Sequence, residues 1–117
     1  MVDVANESWS HALALYDSLQ RPHWQHIRAF RDLVAELAQS VEAAGLTAVT
    51  SHATLIVSPY TCYPDWFDGR LVRLDPLFNG QVEISRHLDG LNRRPVESWT
   101  LSIVDARPRA LALFLEL

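Results

Sequence analysis

Glu83 and His87 lie four residues apart in a stretch of alternating polarity, so on a strand both side chains leave the same face. A carboxylate and an imidazole so placed are the materials of acid–base chemistry, and Arg73 on a neighbouring strand would add an anchor for an anion. His52, Thr54, Ser85, Thr100 and Ser102 would extend this polar surface. The wet side of any antiparallel sheet whose other side is covered by helices reads the same way, so the chemistry also needs a cleft. Cys62 with His52 or His87 suggests a thiolate and its base, yet no activating cation or helix end adjoins Cys62. An idle thiol that packs as a small apolar group is the simpler reading.

His23 and His26 are three residues apart and would share a helix face. Zinc wants three or four protein ligands. There is no cysteine pair or conventionally spaced third histidine, although His11, Asp17 or His52 could be brought near by folding. The residues therefore predict no metal and imply no cofactor. All ten basic residues are arginine, which removes a Schiff-base lysine and a phosphate-binding P-loop lysine. G-x-S-x-G, G-x-G-x-x-G, H-E-x-x-H, Walker and EF-hand patterns are absent, and four glycines are few for phosphate-cradling loops. No residue is assigned a catalytic role, and binding stands ahead of catalysis.

The densest aromatic cluster outside an amphipathic face runs from Pro59 to Gly69, between two apolar strand-like segments. Tyr60, Tyr63, Trp66 and Phe67 supply large amphipathic surface at low entropy cost, and such residues anchor interfaces. Asp65 and Asp68 among them suit a partner carrying arginine or lysine and oppose stacking along a phosphate backbone. The competing reading is that the rings fold back on the sheet as a satellite of the core.

The elements that must position these residues follow from periodicity. Trp9, Ala12, Leu13, Tyr16 and Leu19 form one stripe of a helix over Glu7–Gln20, stopped by Pro22. A second helix is expected from His23 to Ala44, with Trp24, Ile27, Val34, Leu37 and Val41 on its buried face and Gly45 after its last turn. At ~1.5 Å per residue it would be about 33 Å long. The period then becomes two, predicting one strand over Thr47–Ser58 and others near Arg70–Asp75, Gln81–His87 and Glu97–Val104. Between the second and third of these, a turn over Pro76–Gly80 keeps Pro76 out of the ladder, pairs Leu74 with Val82 and sets Arg73 opposite Glu83. Residues 110–117 alternate like a strand, but Asp105 as cap and Pro108 in the first turn favour a helix.

At 117 residues the chain suits one domain spanning 1–117, and 49% apolar with 21% charged residues is an ordinary globular composition. The expectation is an α+β fold. An N-terminal two-helix hairpin packs on a mainly antiparallel sheet of about four strands, closed by an apolar C-terminal helix or an extra strand. A net charge of −4 disfavours nucleic acid, no apolar run reaches the ~18 residues of a membrane span, and nothing at the start signals export. A single cysteine suits a reducing, cytoplasmic compartment. The leading expectation is a protein-interaction module, immunity-like, adaptor or chaperone-like, whose partner is another protein met through loop 59–69. The alternatives are a small enzyme or ligand binder using Arg73, Glu83 and His87, and a homo-oligomer subunit pairing with a second copy through residues 110–117.

Overall fold

The computed structural model describes residues 4–22 and 24–117. The order is α1 (Val4–Ser18), α2 (Gln25–Ala38), β1 (Thr47–Ser51), β2 (Thr54–Ser58), α3 (Asp65–Asp68), β3 (Leu71–Pro76), β4 (Gln81–His87), β5 (Glu97–Ser102) and α4 (Ile103–Phe114). The five strands form one antiparallel meander in sequence order. This is the expected α+β architecture with five strands in place of about four.

The additional strand arises at His52 and Ala53, where the expected Thr47–Ser58 strand folds back on itself with Ser51 opposite Thr54. His52 takes φ 57°, a left-handed conformation in which histidine is among the less disfavoured non-glycine residues. The fold-back reverses the facing of the first half. Ala48 and Thr50 share a face with Leu55 and Val57, and Val49 and Ser51 turn to the other side.

Core packing lies between the Ala48–Leu55–Val57–Val72–Leu74–Val82–Ile84 face of the sheet and α1, α2 and α4. Helix α1 contributes the stripe Trp9, Ala12 and Tyr16, and its Trp9 indole donates to the Leu46 carbonyl at 3.0 Å. Ser8 Oγ accepts from Ala48 N–H at 2.9 Å, which ties α1 to the first edge strand. Helix α2 ends at Ala38, short of the expected Ala44, because Ser40 offers the backbone another partner. Its hydroxyl donates to the Leu37 carbonyl at 2.6 Å and accepts from Ala43 N–H at 3.2 Å. Val41, expected on the buried face, is consequently 84% exposed. Gly45 adopts the expected left-handed conformation, φ 80°.

The β3–β4 turn also differs in register. Leu74 faces Ile84, Arg73 faces Ser85, and Pro76 pairs with Val82 inside the ladder. Leu77 N–H donates to the Gln81 carbonyl at 2.9 Å. Pro76 therefore occupies the adjacent non-hydrogen-bonded position, where its missing N–H is no loss. The C-terminal segment is a helix. Ser102, not Asp105, caps it by accepting from Asp105 N–H at 3.2 Å, and Pro108 falls in the second turn. Its Ala106, Ala110, Leu113 and Phe114 enter the core. No helix among the described residues is long and apolar enough to cross a membrane.

Candidate functional site

Three regions hold the candidate functional residues. Loop 59–69 leaves β2 at one end of the sheet. Pro64 follows a cis peptide bond, and α3 is a single turn in which Phe67 and Asp68 N–H groups donate to the Pro64 carbonyl at 2.9 and 2.8 Å. The turn gathers three rings. Tyr63 lies 5.6 Å from Trp66 and 6.3 Å from Phe67 between centroids, and Trp66 lies 5.9 Å from Phe67. Trp66 and Phe67 are half-buried, while Tyr63 is 71% exposed. Asp65, Asp68 and Cys62 lie beside it, with Asp65 and Cys62 exposed. Tyr60 belongs to a different contact. Its ring packs against Gly69 under the Arg70 guanidinium, 5.9 Å from the ring centroid.

Leu91 N–H donates to the Phe67 carbonyl at 2.9 Å, which stitches this loop to the one between β4 and β5. A Cβ at Gly90 would stand 2.9 Å from that same carbonyl, so the two backbones meet where only glycine fits, at φ +99°. Under these loops the sheet face away from the helices is buried at Ile56, Ser58, Leu71, Ser85 and His87.

The polar sheet face assembles much as the alternation implies, since Thr54, Arg73, Glu83, Ser85, His87, Thr100 and Ser102 share one side through the strand register. Two facts change its chemistry. Arg73 Nε donates to Asp75 Oδ2 at 2.7 Å, and Thr54 Oγ1 donates to the other oxygen of the same carboxylate, so Asp75, not Glu83, is the partner of Arg73. Glu83 is exposed. His87 is buried, with Nδ1 3.2 Å from the Arg93 carbonyl and Nε2 3.0 Å from Ser85 Oγ. Because a carbonyl can only accept, Nδ1 carries the proton and Nε2 accepts from Ser85. Burial pushes the His87 pKa below its usual value and favours this neutral form. A hydroxyl, an imidazole and an orienting carbonyl in line resemble an activated nucleophile. Both side chains are sealed from solvent, however, and read as a satisfied buried network.

The histidine and thiol combinations do not assemble. His52 lies at the far end of β2 from Cys62, and both ring nitrogens of His87 are engaged. The pairing of His26 with His23 falls partly outside the described residues. No group of three or more potential ligand side chains gathers among the described residues.

The third region, not anticipated from sequence, is a cleft of about 590 Å³ at the opposite end of the sheet from loop 59–69. The helical hairpin contributes Leu15, Leu19, Trp24 and Ile27, and the β1–β2 and β3–β4 turns contribute Ala53, Pro76 and Phe78. His26, His52 and Thr50 bring the polar side chains. Behind Ala53, the Tyr16 hydroxyl donates to its carbonyl at 2.9 Å, and burial raises the Tyr16 pKa, with the nearby Asp75 charge adding to the shift. The cleft depends on the two-residue turn at His52, which brings that imidazole into the same lining as the helical hairpin and which no glycine or asparagine marks in the sequence. No protein-family model, curated protein or solved structure matches the chain.

Proposed function

We propose that this chain is a protein-interaction module whose contact surface is loop 59–69. The observation that carries the reading is the exposed Tyr63 ring backed by half-buried Trp66 and Phe67, with the Asp65 and Asp68 carboxylates alongside. A ring supported from below loses little freedom on binding and presents a rigid apolar knob. The flanking carboxylates favour a partner whose pocket is bordered by arginine or lysine. Inhibitory, adaptor and chaperone-like roles all use such a contact, and the exposed thiol of Cys62 suits a reducing, cytoplasmic setting. Self-association through the C-terminal segment is the weaker reading, because most of its large apolar side chains are spent in the core.

The test is native mass spectrometry of the protein taken gently from its host, comparing the natural chain with a Tyr63→Ala/Asp65→Lys variant. A second polypeptide should accompany the natural chain and be lost from the variant, with the melting temperature unchanged. A bare monomer, or a partner that survives the double substitution, would overturn the assignment.

A further inference from the structure

The cleft at the other end of the sheet shares no residue with loop 59–69 and carries a separate inference. We propose that it binds a small, mainly apolar carboxylate, an aryl or medium-chain alkyl acid, with its hydrocarbon against the helical hairpin and its carboxylate toward His26 and His52. Its volume of about 590 Å³ is that of a small-molecule site. Leu15, Leu19 and Ile27 offer one apolar wall and Pro76 the other.

The polar groups choose the end group. The two imidazoles can both donate to an oxygen, and among the described lining residues there is no aspartate or glutamate. A carboxylate entering the cleft thus meets hydrogen-bond donors and no carboxylate among the described lining residues, while an ammonium ion would find no counter-charge in that lining; Asp75, next to Pro76, is paired with Arg73. The Arg21 guanidinium, 5.8 Å from the centroid of the Trp24 ring, adds positive potential at the rim.

Two local features are otherwise unaccounted for. His52 occupies a left-handed turn position, φ 57°, where asparagine or glycine would sit with less strain. Phe78 is 88% exposed although its ring stands 4.7 Å from that of His26 at the cleft mouth. A ligand in the cleft would cover the ring and engage the imidazole.

The experiment is a two-dimensional amide NMR titration of the full chain with decanoate, decanol and decyltrimethylammonium in parallel. Decanoate should give saturable shifts confined to the surroundings of Trp24, Ile27, His52 and Phe78, and none in loop 59–69. It should bind about tenfold more tightly than decanol, the effect of a charge-assisted hydrogen bond. The ammonium compound should bind no better than the alcohol. His26→Ala should abolish the preference for carboxylate over alcohol. Phe78→Ala, at an exposed position that folding does not need, should weaken both ligands about threefold to tenfold. If His26→Ala does not fold, His52→Asn, which tolerates the same backbone, must show the lost preference. Shifts that fail to saturate or scatter over the surface, equal affinity for all three compounds, or an unchanged preference in the histidine variants would overturn the proposal.

Discussion

One face of the sheet is closed by helices and the other, in part, by loops, and among the described residues the buried serine, threonine and histidine side chains of the strands lie on the loop side. On the helix side the buried set is Ala48, Leu55, Val57, Val72, Leu74, Val82 and Ile84. On the loop side it includes Thr47, Ser58, Ser85 and His87 beside Ile56 and Leu71. A helix spends its N–H and C=O groups on itself, so it can offer a sheet little besides side chains. A loop still has backbone groups to share. Ser58 Oγ accepts from Tyr60 N–H at 3.1 Å, and His87 donates to the Arg93 carbonyl at 3.2 Å. The hydroxyl of Thr47 is the exception, with no partner among the described residues.

The comparison is tested most strongly by paired truncations. Leu74 and Leu71 are both fully buried, but on opposite faces. Leu74→Ala should cost about 3–5 kcal/mol, the upper part of the range for such changes, because three packed helices cannot collapse into the space. Leu71→Ala should cost nearer ~2 kcal/mol, because the loops above it can settle. Equal losses in urea unfolding would show that the loop layer is as rigid as the helical one.

Next in size is Gly90→Ala, which both strains a φ of +99° and drives a Cβ against the Phe67 carbonyl. A loss of about 1–3 kcal/mol is expected, with faster hydrogen exchange confined to residues 60–69 and 88–93. Uniform exchange across the sheet would contradict the idea of a separable loop layer.

His87 should make the loop side sensitive to acid. An unfolded chain takes up the imidazole proton near 6.5, while burial moves uptake in the folded chain to lower pH. In that interval the unfolded state holds more protons, so stability is full above about pH 6.5 and falls as the pH drops through the interval. His87→Gln should flatten that part of the curve, by ~1.4 kcal/mol for each tenfold difference in proton affinity between the folded and unfolded chains. An unchanged acid limb in the variant would place its origin elsewhere. The smallest stability effect belongs to Tyr63→Ala. It should stay within about 0.5 kcal/mol, as for an exposed ring that holds nothing in place. A larger loss would mean that Tyr63 belongs to the loop's own packing.

Much of this was legible in the chain. The Trp9–Ala12–Tyr16 stripe, the shared face of Val72, Leu74, Val82 and Ile84, and the polar alternation through Ser85 and His87 follow directly from periodicity. Ser40 is harder to read, because a serine in a helical pattern is neutral until its hydroxyl finds the backbone. His52 is harder still. The sequence around it carries no glycine or asparagine, and the alternation runs through the turn without a visible break. Both candidate sites show the same limit. The aromatic loop is recognisable from its composition, but the division of labour among Tyr63, Trp66 and Phe67 is not. The cleft is invisible in the chain because its walls come from four segments spread between Leu15 and Phe78.

What the sequence determined by itself was the class of the first two helices and of the strands over Thr54–Ser58, Leu71–Pro76 and Gln81–His87, with the side of each that seeks burial, because helix and strand periods depend only on near neighbours along the chain. Tertiary structure decided the partner of Arg73, the burial of Ser85 and His87, and the placing of both His26 and His52 in the lining of one cavity. Those outcomes rest on register and on loops crossing a sheet face. A shift of two residues in register sets Ser85 in place of Glu83 opposite Arg73, which pairs with Asp75 of its own strand, while every apolar residue keeps the face it already occupied.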